Sequence, residues 1–417
     1  MFAINWRGAL ISGLGLALYT TPLAAQDGPV LSLEDALSRA GVADVAPGEE
    51  TNPRLVGPRA EAEAARALID QARLRPNPEL SFEAENIAGT GAFTGLRSSE
   101  YTISIGQQLE LGCKRGARIR SAEAEARIAA LQGDLSVAGL AWSVRERYVE
   151  AVAAAARLDL ARDIVERNRE LARIAGVLVE VGREPPLRAL RAQAALAEAQ
   201  AELEAAQASD IVARSALAAL WSDDGLLPAV QPDFPDIDPP AKLLATDASL
   251  RLQIARAERD AAAAAINRER SLAVPDPVIS AGVRRFEESN ANAFLVGVTI
   301  PLPFGNRNQG NIAAAQSRLQ AANAREAIVR TDFDLAVAQA RSRYLAAETR
   351  VETLSRTSLP QAEEALRLVR IGYRNGKFPL IEVLAAAEAR DAIREAVIQA
   401  KEDRGRLAAQ LIWLATQ

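Results

Sequence analysis

The 417-residue chain contains no histidine, a single cysteine and a single methionine, and only 4% of it is aromatic. Without histidine it lacks the usual general base and the commonest metal ligand, and Cys113 alone can build neither a disulfide framework nor a thiolate cage. No nucleophile, base and orienting group come together as a motif, so neither catalysis nor a resident metal or cofactor is expected. A basic tract is missing too: the net charge is −5, which argues against nucleic acid as a partner. Beyond the first 25 residues no stretch approaches the ~20 apolar residues of a transmembrane helix, so any later membrane span must be made of strands. Few aromatics and much alanine suit thin helical walls with close backbone approach better than a thick core.

What is present begins with Arg7, an apolar run from Ala9 to Leu18 and the small-residue stretch Thr20-Thr-Pro-Leu-Ala-Ala-Gln. That order predicts an export signal over residues 1–25 with cleavage near Ala25. The stretch that organises the rest is Tyr101 to Arg120. Tyr101, Ile103, Ile105, Leu109 and Leu111 alternate with Thr102, Ser104, Gln108 and Glu110, the period of a strand with one apolar face. Gly112 then offers a corner, and Lys114, Arg115 and Arg118 form a basic collar at the start of a long helical pattern.

The device recurs. Phe294, Val296, Val298, Ile300 and Leu302 share a face, followed by Pro301-Leu-Pro-Phe-Gly-Asn-Arg and another Ala-rich helical run, with Arg307 as the second collar. Gly112 aligns with Gly305 and Lys114 with Arg307 at a separation of 193 (305 − 112 and 307 − 114). Gly182-Arg183-Glu-Pro aligns with Gly376-Lys377-Phe-Pro at 194 (376 − 182). One unit is used twice, over 26–221 and 241–417, with a Pro- and Asp-rich linker at 222–240. Each unit reads as a helix (58–74; 248–272), two strands (80–84 and 101–111; 278–286 and 293–302), a long helix (116–179; 309–374), a Gly turn and a returning helix. A short helix capped by Ser32 precedes them. A heptad frame from Ile128 through Leu131, Leu135, Ala138, Trp142, Val149, Val152 and Ala156 predicts coiled-coil packing.

Two ten-residue strands per unit can cross a bilayer, but four cannot close a barrel, so copies must join to complete the sheet. A soluble hairpin packed on its own helices is the other reading of the same pattern. The segments Gln107-Gln-Leu-Glu-Leu-Gly-Cys-Lys-Arg, Ile300-Pro-Leu-Pro-Phe-Gly-Asn-Arg-Asn-Gln-Gly-Asn-Ile and Gly372-Tyr-Arg-Asn-Gly-Lys-Phe-Pro-Leu-Ile-Glu-Val-Leu, set in this duplicated plan, resemble the TolC family of outer-membrane efflux ducts, in particular its cobalt, zinc and cadmium resistance branch. The resemblance implies a mainly α protein with a membrane β-barrel: a homotrimer whose twelve strands form one outer-membrane barrel, in contact with lipid and continued through the periplasm by an α-helical barrel. It implies a periplasmic adaptor protein and a proton-driven inner-membrane pump as partners, and a duct that catalyses nothing.

By the same resemblance Gly182, Arg183, Gly376 and Lys377 stand at periplasmic tips that meet the adaptor, Tyr373 is an aromatic gate residue and Glu382 forms an acidic ring. Ala385 departs from a second acidic ring, and Arg188 holds the place of an acid, which suggests a Glu382–Arg188 ion pair closing the gate. Cys113 stands where relatives often have glycine. A multidrug or type I protein-secretion duct is the alternative within the class, and a periplasmic coiled-coil scaffold the alternative outside it.

Overall fold

The computed structural model describes residues 30–42, 52–221, 227–240 and 246–416. The expected export signal lies outside the described residues. Within them the first unit runs α1 (Leu33–Arg39), α2 (Pro53–Arg73), β1 (Glu79–Glu85), β2 (Glu100–Gln108), α3 (Lys114–Glu180) and α4 (Pro186–Ala218). The second runs α5 (Leu250–Leu272), β3 (Val278–Phe286), β4 (Ala291–Thr299), α6 (Gln309–Thr353), a π turn (Leu354–Ser358), α7 (Leu359–Arg374) and α8 (Leu380–Thr416). At 1.5 Å per residue α3 is about 100 Å long.

The four strands form one antiparallel sheet in the order β1-β2-β3-β4, so the two units join at the β2–β3 pairing. The register stacks Leu80, Ile105, Ala281 and Val296 in one row and Phe82, Ile103, Val283 and Phe294 in the next, all on one face. That face is open: Phe294 is 91% exposed and Val296 81%. The other face is polar. Ser81 and Ser104 hydroxyls lie 2.7 Å apart, and Arg284 donates to Thr102 Oγ1 at 2.9 Å and Glu100 Oε2 at 3.0 Å. Because each hairpin enters and leaves at the same end, α2, α3, α5 and α6 all meet the sheet at one end, and the rest of the molecule extends from there.

Midway along, α3 is buried on several sides at once. Leu31, Leu140, Val144, Tyr148 and Val152 form one cluster with Leu217, while Val149 joins Phe333, Tyr344, Ala408 and Leu411 in another. Tyr148 donates its hydroxyl to the Leu31 carbonyl at 2.9 Å, and Trp142 stacks on Trp413 with ring centres 4.7 Å apart. The heptad frame is therefore too narrow here, since a helix packed on several neighbours at once has no single seam. The segment read as a linker is built into this region over 227–240: Leu31 N donates to the Ala229 carbonyl at 2.8 Å, and Ile237 is buried.

Other boundaries differ for identifiable reasons. α2 begins at Pro53, ahead of Pro58, because Asn52 caps it and its amide also donates to the Ala40 and Leu220 carbonyls, both at 2.9 Å. β4 stops at Thr299 rather than running to Leu302, since Pro301 and Pro303 have no N–H to pair. The long second helix is interrupted. Pro360 can give no hydrogen bond to the Arg356 carbonyl and would clash with it, and the chain widens into a π turn just before it. The first unit has no such break.

The strand-to-helix corners also revise the repeat alignment. Both long helices start from a left-handed residue, Cys113 (φ 58°) and Asn308 (φ 60°), a separation of 195 (308 − 113) rather than 193. Asparagine tolerates this conformation and holds it by donating to the Glu269 carbonyl at 2.8 Å, whereas cysteine has no such compensation. Gly112 before it has φ 67°, and a Cβ there would sit 2.7 Å from Val274 Cβ. Thermal unfolding of the detergent-solubilised protein should show Cys113→Asn raising stability by about 1 kcal/mol, and Gly112→Ala lowering it by about 2 kcal/mol through strain and overpacking.

Candidate functional site

At the end away from the sheet, α3 and α7 stop in the same motif. Gly182 (φ 71°) and Gly376 (φ 68°) take the left-handed conformation, Arg183 N donates to the Leu178 carbonyl at 2.9 Å, and Lys377 N to the Gly372 carbonyl at 2.8 Å. These are Schellman turns, which satisfy the last helical carbonyls and leave Arg183 and Lys377 exposed beside them. The returning helices start alike: Arg188 N donates to the Pro185 carbonyl at 3.0 Å and Glu382 N to the Pro379 carbonyl at 3.1 Å. Arg188 and Glu382 are thus equivalent positions of opposite charge, 194 residues apart (382 − 188).

The helix dipole favours the carboxylate in the first turn of α8 and disfavours the guanidinium in the first turn of α4. Arg188 is offset locally, its Nη1 bonding Glu184 Oε1 at 2.5 Å. Among the described residues the expected Glu382–Arg188 pair is not formed, because Arg188 is taken by the nearer acid of its own tip. Tyr373 packs on Leu366, Leu380, Val383 and Ala387, so the α7–α8 arm is closed by apolar side chains.

A different chemistry joins the two arms. Across α3 and α8, Arg406 meets Glu146 at 3.1 Å, Arg157 meets Glu395 at 2.9 Å and Glu402 at 2.7 Å, and Arg394 meets Asp163 at 2.8 Å. Nearest the tips, Arg167 and Arg390 both bond Asp391, whose side chain is 8% exposed. The numbers fall on one side as they rise on the other, the mark of antiparallel helices stitched along their length. Burial, and then neighbouring guanidiniums including those of Arg394 and Arg370, pull Arg390 below its ordinary pKa; burial and Arg390 do the same to Arg167. Asp391 is what holds these charges together. Beside the seam a groove of about 680 Å³ opens between α3, α4 and α8, lined by Ile164, Leu171, Arg188, Arg191, Leu384 and Glu388.

At the sheet end, Lys114 is half-buried and bonds Asp276 Oδ2 at 2.7 Å, an ion pair from one unit to the other. Asp276 also accepts from Gln108 Nε2 and Leu111 N, both at 2.9 Å. Arg118 donates to the Ala72 and Leu74 carbonyls at 3.0 and 2.8 Å and so caps α2. Arg115 and Arg307 are exposed. Sequence reasoning missed Arg157, Arg167 and Asp391, whose partners across the seam lie more than 200 residues away and carry no local signal, and Arg390, which bonds the adjacent Asp391. Among the described residues no three His, Cys, Asp or Glu side chains are placed to hold a metal ion, and no helix is long and apolar enough to cross a membrane.

The sequence profile of the family described as outer membrane efflux protein matches residues 49–222 and 243–415. The chain belongs to this family. Within it, the chain is 32% identical over 372 residues to the cobalt-zinc-cadmium resistance protein CzcC of Cupriavidus metallidurans, covering 85% of this chain and 83% of that one. It is 34% identical over 301 residues to the nickel-cobalt-cadmium resistance protein NccC of Alcaligenes xylosoxydans, covering 71% and 68%. Crystal structures of CusC superpose with a TM-score of 0.75 at 19% identity, covering 92% and 91%. The open state of the Neisseria gonorrhoeae MtrE outer membrane channel gives 0.72 at 20%, covering 92% and 88%. The fold is that of the outer-membrane channels of this family, a β domain continued by a helical body, and its place is the outer membrane with the helices in the periplasm.

Removing Asp391 leaves two half-buried guanidiniums facing one another. Urea unfolding should show Asp391→Ala losing about 3 kcal/mol, and the apolar triple replacement Arg167→Met, Arg390→Met and Asp391→Leu recovering most of it.

Proposed function

We propose that this protein is the outer-membrane duct of a tripartite efflux system that exports divalent transition-metal cations, working as a homotrimer with a periplasmic adaptor and a proton-driven inner-membrane pump. One observation carries the duct reading: the sheet presents an exposed apolar face and, in β1 and β4, two strands with one open edge each, at one end of a long helical body. Three copies would supply twelve strands and close every edge. The cargo is supported by relatives named for resistance to cobalt, zinc, cadmium and nickel. The cations are cargo passing through, and specificity among them belongs to the pump.

In this reading the tips form the gate. Gly182, Arg183, Gly376 and Lys377 meet the adaptor, Tyr373 closes the apolar side of the α7–α8 arm, and three copies of Glu382 make a cation-attracting ring whose repeat-equivalent Arg188 lies on the other arm. The collar of Lys114, Arg115 and Arg307 marks the periplasmic limit of the barrel.

Growth of a deletion strain on cobalt, zinc, cadmium and nickel, with bile salts, dyes and antibiotics in parallel, tests the cargo. Sensitivity confined to the metals and restored by the intact gene is expected; sensitivity to the organic compounds alone would overturn the metal assignment. For the gate, Glu382→Lys in planar bilayers should shift the reversal potential of a salt gradient toward anion preference. An unchanged selectivity would remove Glu382 from the gate.

A further inference from the structure

We infer that the membrane-embedded surface does not end with the sheet: Leu109, Leu111, Ile300, Leu302 and Phe304, which lie beyond the last paired strand residues on the helix side, sit in the hydrocarbon of the periplasmic leaflet. The inference rests on the reading that the apolar face of the sheet meets outer-membrane lipid.

The sheet alone is too short. Only the rows Leu80-Ile105-Ala281-Val296 and Phe82-Ile103-Val283-Phe294 are apolar on all four strands. Rows on one face are about 6.8 Å apart along the strand, so with a tilt near 40° they fill on the order of 10 Å of the ~25 Å apolar band that an outer-membrane barrel presents. On the β3–β4 half the band cannot grow outward. The next row carries Arg285, which bonds Glu287 at 2.7 Å and Asn290 at 2.6 Å, and the turn is Glu287-Glu288-Ser289-Asn290. On that half the missing thickness has to come from the helix side.

There the alternation of β4 continues past its last paired residue. Ile300, Leu302 and Phe304 keep the parity of Phe294, Val296 and Val298, and they are 52%, 66% and 81% exposed. From Phe294 to Leu302 is about 26 Å of extended chain, or about 20 Å of bilayer at that tilt, and Phe304 adds the remainder. On β2, Leu109 and Leu111 continue the parity of Ile103 and Ile105 and are 39% and 47% exposed.

The backbone points the same way. An extended segment outside a sheet normally offers N–H groups that lipid cannot satisfy. Here Pro301 and Pro303 have none, and Phe304 N donates to the Leu302 carbonyl at 3.0 Å. Opposite them Leu109 N donates to the Pro277 carbonyl at 2.9 Å, Leu111 N to Asp276 Oδ1 at 2.9 Å, and Pro275 and Pro277 have no donor to place. Both units thus remove or bond several of the donors, at Leu109, Leu111, Pro301, Pro303 and Phe304, at the level where the chain leaves the sheet but has not left the apolar band.

Phe304→Trp and Leu302→Trp, each made in the full-length protein and reconstituted into vesicles of phosphatidylcholine brominated on its acyl chains, test this. Val296→Trp on the sheet face is the reference, and the parent protein with Trp6, Trp142, Trp221 and Trp413 gives the background. Loss of the added emission in the two new variants as well as in Val296→Trp is expected. Quenching of Val296→Trp alone would overturn the inference and leave the barrel standing. No quenching in any variant would overturn both.

Discussion

Everything in this molecule answers to one constraint: a peptide group in hydrocarbon has no water to bond. Four strands satisfy one another along three pairings and leave β1 and β4 with an open edge each, so the sheet cannot be a finished object within one chain. The same constraint explains why proline, usually hostile to strands, clusters where the chain enters and leaves this one. It explains the corners as well. Within a few residues each chain segment must turn from pleat to helix without exposing donors, and left-handed Cys113 and Asn308 with Gly112 make that turn in minimal length.

Away from the membrane the constraint changes to one of mechanics. The α7–α8 arm is closed by leucine, valine and alanine, whereas the seam between α3 and α8 is a ladder of guanidiniums and carboxylates. Apolar seams are non-directional and hold over small displacements. Ion pairs partly open to water exchange their partners for solvent at little net cost. The Asp391 node is the exception, because it is buried and shared between two arginines. The protein is therefore stiff within the α7–α8 arm and softer along the α3–α8 seam beyond its apolar contacts at Val149, Ala408 and Leu411, with one firm point near the tips. That is a suitable mechanical basis for the gate proposed at the tips.

Much of this was legible in one dimension because it is written in local patterns. Alternation gave the bounds of β3 residue for residue, the Gly-x-x-Pro turns gave the tips, and the repeat was visible through its glycines and prolines. What escaped the reading lay in three dimensions. The extension of β4 was over-read because alternation persists after pairing has stopped. The π turn was missed although Pro360 signals it, since a long helical pattern on both sides outweighed one residue. The α3–α8 ladder has no local signature at all, and the partner of Arg188 went to the nearer acid, a choice made by side-chain reach.

The β2–β3 pairing carries a further consequence. The two units are copies, so β2 and β4 are equivalent, as are β1 and β3. A ring of chains needs β4 of one copy to meet β1 of the next, and each chain already contains the homologous meeting inside itself. In the proposed trimer, duplication replaces a sixfold ring of small hairpin subunits by a threefold ring of larger ones and makes half of the joints covalent neighbours. Those joints cannot dissociate on dilution and need no search to form. The remaining three are where assembly is decided, and they are asked to imitate a contact the folded monomer has already made.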